Sequence, residues 1–190
     1  MLEASYNIAG DEFFMRIALD QATQAASCGE VPVGAVVVRD QKLIGQGRNQ
    51  RETLQRSTAH AEILAIDNAS SYLRSWRLEQ CTLYATLEPC IMCVGAILQA
   101  RVSRLVFGCL DPKAGAVRSL YRLCEDPRLN HRAEVSHGIL EGECAQVLSE
   151  FFARLRESKL SAISVQQSAF SEKLSANGSH LLTGEVAEPG

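Results

Sequence analysis

Apolar residues first recur at helical spacing behind Asp11, at Phe13, Phe14, Ile17, Ala18, Leu19 and Ala22, and the run stops near Cys28-Gly29. Steps of three and four place these side chains on one stripe, which predicts an amphipathic helix capped by Asp11. The pattern then changes to "VGAVVVRDQKLIGQGRN", two apolar stretches around a short polar turn, as in a β-hairpin. Helical spacing returns over residues 58–73, "TLYAT" reads as a strand, 90–100 as a second helix, "RLVFGC" as another strand and "AEVSHGIL" as a fifth. A closing helix over 141–157 would turn Ala145, Leu148, Phe151, Phe152 and Leu155 inward.

A hairpin followed by alternating helices and strands predicts a central five-stranded mixed sheet, its later strands parallel, with helices on both faces. From Lys159 the pattern lapses into serines at 161, 164, 168, 171, 175 and 179 with no sustained apolar period. The expected organisation is one domain over residues 1–158 and a Ser/Ala-rich disordered tail over 159–190. At 190 residues, with 46% apolar and 22% charged residues, the chain has the length and composition for one globular core. The amino terminus has no basic-then-apolar leader pattern and no apolar run nears bilayer length, so a soluble cytoplasmic protein without membrane partners is expected.

Seven cysteines are present, and only Cys90 and Cys93 form a close pair, which fits a reducing compartment and one metal or redox use better than a disulfide framework. The net charge of −3 gives no global sign of nucleic-acid binding. Between Arg101 and Arg132, however, seven cations face only Asp111, Glu125 and Asp126. A solvated face balancing acids elsewhere explains that bias as well as an RNA surface does.

Chemistry concentrates at two helix openings. In "TAHAEILA" His60 precedes Glu62 by two residues, and "LEPCIMCVGA" sets Cys90 and Cys93 three apart, on one helical face. A His-x-Glu triplet alone is common, whereas Pro-Cys-x-x-Cys is rare by chance. The amides and positive dipole end of a first helical turn favour thiolate, the form that binds a cation. Two thiolates and one imidazole suit a single Zn2+ ion, leaving a fourth tetrahedral position for water; iron is the runner-up. Because two thiolates offset the ion's charge, its water needs a base, and Glu62 is the candidate proton shuttle. Hydroxide attack on an amidine carbon with loss of ammonia is hydrolytic deamination, and this residue pattern is an established signature of zinc nucleobase deaminases.

Beyond these residues, "EVPVGAVVV", "TAHAEI", "TLYATLEPCIMCVGAI", "VFGCLDPKAGA", "LNHRAEVSHGIL" and "ECAQVLSEFF" resemble, in order, the bacterial tRNA-specific adenosine deaminases. The resemblance covers about residues 11–157. It implies a cytidine deaminase-like, three-layer α/β/α sandwich and conversion of adenosine to inosine at the wobble position of a tRNA anticodon. It also implies that His60, Cys90 and Cys93 hold zinc, that Glu62 moves the proton, and that Val33 and Asn49 seat the flipped base. Asp111 and Lys113 would meet the RNA sugar and phosphate, Arg154 and Arg156 the anticodon stem, and a second copy would complete a homodimer. A turn explains Asn49, Asp111 and Lys113 equally well, and solvation explains the two arginines. Leu87 and Glu88 are read as packing and as a brace for the backbone. The chain departs from the family at Gln50 and Arg51, where an apolar or proline-containing loop is usual, and at Cys109, where alanine is usual. The other readings are a zinc deaminase of a free guanine- or cytosine-type compound, and a non-catalytic zinc module that binds RNA.

Overall fold

The computed structural model describes residues 8–178. Helix α1 (Ile8–Ser27) leads into strands β1 (Gly34–Arg39) and β2 (Lys42–Arg48). The two strands are joined at Asp40 and Gln41, whose φ values of 50° and 60° make a two-residue turn of the kind that matches strand twist. The short α2 (Arg51–Leu54), which apolar spacing does not mark, and α3 (Ala61–Leu73) follow. Strand β3 (Cys81–Leu87), α4 (Ile91–Gln99), β4 (Arg104–Cys109), a 3-10 turn at Leu123–Glu125 and β5 (Glu134–His137) complete the alternation, and α5 (Glu141–Gly178) closes it.

The sheet order is β2-β1-β3-β4-β5. Strand β1 is antiparallel to both neighbours, and β3, β4 and β5 are mutually parallel. Period-two alternation splits the apolar residues between two cores. Val37, Leu83, Leu105 and Phe107 pack under α3 and α4, while Val36, Val38, Tyr84 and Val106 pack against α1 and the first turns of α5. This is the expected three-layer α/β/α sandwich around five strands.

The contact between β2 and α3 is unusually close. Ala61, Ala65 and Ala69 recur every fourth residue along one side of α3, and Gly45 and Gly47 share one face of β2. A Cβ at Gly47 would fall on the Ala61 carbonyl oxygen and 2.7 Å from the Ala65 nitrogen; at Gly45 it would meet the same atoms of Ala65 and Ala69. Gly34 gives α1 the same access on the other face, against Ala18 and Ala22.

Two expectations about the helices are corrected. Asp11 is not a cap: it lies inside the first turn of α1, 4% exposed. It takes 2.8 Å hydrogen bonds from both terminal nitrogens of the Arg104 guanidinium and from the Tyr84 hydroxyl. Burial alone would raise its pKa, but these donors hold it below the usual carboxylate value. In α5 the inward residues are Cys144, Val147, Leu148 and Phe151, and Ala145, Phe152 and Leu155 are exposed. The stripe is set by Cys144, whose sulfur occupies the place a side chain at Gly108 would need. The helix also runs past residue 157 to Gly178. By internal contacts the chain divides into a unit ending at Phe151 and a second beginning at Phe152. In the second, Arg154 and Arg156 are exposed, and residues 179–190 of the expected tail lie outside the described residues.

The basic interval resolves largely into ion pairs: Arg104 with Asp11, Arg118 and Arg122 with Glu125, and Arg128 with Asp126. Among the described residues no helix is long and apolar enough to cross a membrane.

Gly47→Ala should destabilise the protein by about 1–3 kcal/mol, because the clash is with backbone that cannot rotate away. Gly142→Ala, where nothing lies within 4 Å, should be neutral or slightly stabilising. Thermal denaturation of the two variants checks both, and equal midpoints would refute the close-packing account.

Candidate metal centre and substrate cavity

Two helices begin at the same place. His60 is the N-cap of α3 and Cys90 the N-cap of α4, both in extended conformation and neither making a side-chain cap hydrogen bond. Cap positions ordinarily carry Ser, Thr, Asp or Asn to satisfy the first amides. Here the two side chains are directed at each other instead, with the positive ends of both helices behind them. Cys93 follows within the first turn of α4 and is fully buried.

The resulting triad is tight. The Cys90 and Cys93 sulfurs are 3.7 Å apart, and His60 Nδ1 lies 3.8 Å from the first and 3.5 Å from the second. Tetrahedral zinc with ordinary bond lengths requires roughly 3.8 Å between sulfurs and about 3.6 Å between sulfur and nitrogen. The three ligand atoms therefore fit such an ion as they stand. Among the described residues this is the cluster of His, Cys and acidic groups able to hold a metal.

Protonation supports the same reading. The adjacent Cys93 thiol and His60 pull Cys90 down to about 3, while the Cys90 thiolate and burial push Cys93 far above the ordinary thiol range. The two adjacent thiols are driven apart because a first thiolate, together with burial, disfavours a second beside it. His60 is raised, chiefly by its contact with Cys90.

Glu62, in the first turn of α3, is 4% exposed. Its Oε2 is the buried side-chain oxygen or nitrogen that finds no hydrogen-bond partner among the described residues. Burial raises its pKa. An orphaned carboxylate oxygen is costly in a core and is the kind of exception found at reacting sites.

A cavity of about 150 Å³ opens beside this group, lined by His60, Glu62 and Cys90 together with Val31, Val33, Asn49, Arg51, Leu87, Glu88, Asp111 and Ala114. It lies below the ~300 Å³ of common drug-sized pockets and suits a single planar base. Two buried carboxylates hold its walls. Glu88, 2% exposed, accepts the backbone N–H groups of Asp111, Val117, Arg118 and Ser119, and the Ser119 hydroxyl. Burial works against its charge, but these donors bring it down to about 2. Glu88 is thus the brace that sequence reasoning assigned it. Gly115 is obligatory beside it, since a side chain there would occupy the Glu88 carboxyl group.

Of the residues expected at the site, His60, Glu62, Cys90, Cys93, Val33, Asn49 and Asp111 are brought together. Asp111 also accepts the N–H groups of Lys113 and Ala114, closing a tight turn. Lys113 is exposed on that turn and is not part of the cavity lining. Arg154 and Arg156 belong to the second unit. Sequence reasoning missed Glu30, which holds the Asn49 wall, and Arg51, which lines the cavity. The only signal was a charged residue directly before the apolar "VPVGAVVV" run.

Residues 9–156 match the family model described as MafB19-like deaminase. A tRNA-specific adenosine deaminase of Bacillus subtilis is 51% identical over 152 residues, covering 80% of this chain and 94% of that protein. A solved structure from a study of A-to-I editing by tRNA:A34 deaminases at the wobble position of transfer RNA superposes with a TM-score of 0.70 at 44% identity, covering 72% of this chain and 99% of that one. A guanine deaminase from Bacillus subtilis shares 38% identity at a TM-score of 0.50, over 52% of this chain and 64% of its own.

The depressed pKa of Glu88 makes a pH prediction. Its contribution to stability is complete above its ordinary value of 4.5 and is lost as pH falls toward about 2. Glu88→Gln should therefore lower the thermal midpoint at pH 7, and the gap to the parent should narrow steadily below about pH 4.5. A gap independent of pH would contradict an ionised brace.

Proposed function

The chain belongs to the MafB19-like deaminases and, with its curated relatives, to the tRNA-specific adenosine deaminases, and from that membership we infer that it hydrolyses adenosine to inosine at the wobble position of a tRNA anticodon. The structural observation that supports the reaction is Glu62 Oε2, buried without a hydrogen-bond partner among the described residues beside the three atoms able to ligate a metal.

Zinc held by His60, Cys90 and Cys93 would supply a Lewis acid that makes water nucleophilic at neutral pH. The protein's own residues do the rest. Glu62 takes a proton from the attacking water and passes it to a ring nitrogen of the adenine. A second proton follows to the exocyclic nitrogen, so that water is consumed and ammonia leaves. The raised pKa of Glu62 suits a group that must both accept and return a proton. Val33 and Leu87 give the base an apolar seat, and Asn49 offers it a polar edge.

The RNA partner is an anticodon stem-loop with the target nucleotide flipped into the cavity. In this proposal Asp111 meets a sugar hydroxyl, Lys113 a phosphate, and Arg154 and Arg156 the stem. The deaminase domain takes in residues 1–158 and the tail 159–190 stands outside it; the active form is a homodimer, working in the cytoplasm, where its substrate is.

Glu62→Ala should lower inosine formation on an anticodon stem-loop by roughly 100-fold or more, with about one zinc per chain retained. Retained activity would remove Glu62 from the mechanism. Cys93→Ala should lose the metal itself, measured as zinc content after gel filtration. Assay of the parent on free adenosine, guanine and cytidine beside the stem-loop tests the substrate class: turnover of the free compounds alone would overturn the tRNA reading in favour of a small-molecule deaminase.

A further inference from the structure

Glu30 takes no part in the steps above, yet it is 1% exposed, as buried as the core itself. Its carboxylate is fully engaged. The Thr53 N–H donates to Oε1 at 2.6 Å, and the Glu52 N–H and the Asn49 side-chain nitrogen donate to Oε2 at 3.2 and 3.4 Å. The two backbone donors are open amides of α2, whose own N-cap, Gln50, makes no side-chain cap. Burial disfavours the charge, but these amides and the Arg51 guanidinium hold Glu30 below the ordinary carboxylate range.

An ionised carboxylate has no proton to give, so only the amide nitrogen of Asn49 can face it. The Asn49 carbonyl oxygen is then directed away from Glu30. It accepts no hydrogen bond among the described residues, and Asn49, 6% exposed, lines the cavity. The Asn49 backbone is fixed as well, its N–H donating to the Val33 carbonyl at 2.9 Å.

We propose that Glu30 is a positioning residue for substrate choice: it fixes the Asn49 amide so that the cavity presents an acceptor there and selects a nucleotide bearing a hydrogen-bond donor, a ribose hydroxyl or the exocyclic amino group. The proposal rests on the adenosine-deaminase reading and concerns how that site recognises its target. Replacing the carboxylate by an amide of the same shape removes the constraint. A glutamine at this position can donate to the Asn49 carbonyl, the Asn49 amide can rotate, and the cavity then offers a donor to a donor.

The test is a double-mutant cycle on the full chain, loaded with zinc, using an anticodon stem-loop. Glu30→Gln should lower kcat/KM roughly 10-fold with zinc content unchanged. In an Asn49→Ala background the same change should cost less than about twofold, because the group it acts through is gone. An equal loss in both backgrounds, or no loss in the parent, would overturn the proposal and leave Glu30 as a cap of α2 alone. Should Glu30→Gln fail to fold, Glu30→Asp, which keeps the charge but withdraws it from Asn49, enters the same cycle with the same expectation. A stem-loop with a 2′-deoxy target nucleotide identifies the donor: losses that fail to multiply with Glu30→Gln assign the ribose hydroxyl, and losses that multiply assign the amino group, each in support. Failure of the underlying reading is separate, since it would show as a parent enzyme inactive on the stem-loop.

Discussion

The site depends on one geometric demand: α3 and α4 must start within a coordination radius of each other, His60 capping one and Cys90 the other. Nothing in either helix alone enforces this. Helix α3 is located by backbone-to-backbone contact, its alanine ridge resting on the bare faces of Gly45 and Gly47. Helix α4 is located by the parallel crossover from β3 to β4. A rise of one methyl group between α3 and β2 would be comparable to the tolerance of the ligand set, which explains why the smallest residues occupy the interface that bears on the chemistry.

Three buried glutamates divide the labour around the cavity. Glu30 and Glu88 are saturated by backbone amides, and both are held acidic, so each acts as a fixed negative post to which a loop is tied. Glu62 is equally buried but has an oxygen with no donor among the described residues, and its pKa moves the other way. The residue type is the same in all three places. What separates Glu30 and Glu88 from Glu62 is whether the neighbouring backbone has amides left to give.

Much of this was legible beforehand. Period-two and helical spacing carried the five strands and the order of the main helices, because burial on one face writes itself into the pattern. The cluster of His60, Cys90 and Cys93 was legible because a metal-binding chemistry tolerates few substitutes and its spacing is local. What escaped was non-local. Asp11 looks like a cap until Arg104 and Tyr84, far along the chain, come beside it. The inward stripe of α5 turns on Gly108 and Cys144, a pair that no periodicity connects. Glu30 stands in a run that reads as a loop before a strand, and its role exists only once α2 and Asn49 are folded against it. Helix α2, at four residues, is too short for any apolar period to mark.

The placement of His60 and Cys90 at helix starts also bears on how a metal ion held there would be acquired. The two apolar cores, beneath α3 and α4 on one side and α1 on the other, are assembled from side chains that owe nothing to the cation. Metal binding at the triad would thereby be uncoupled from folding, in contrast to small zinc modules whose chains collapse when stripped. Such a centre would be a socket that a cell could fill, empty or misfill after synthesis, the identity of the occupant being decided by supply and ligand softness rather than by the act of folding.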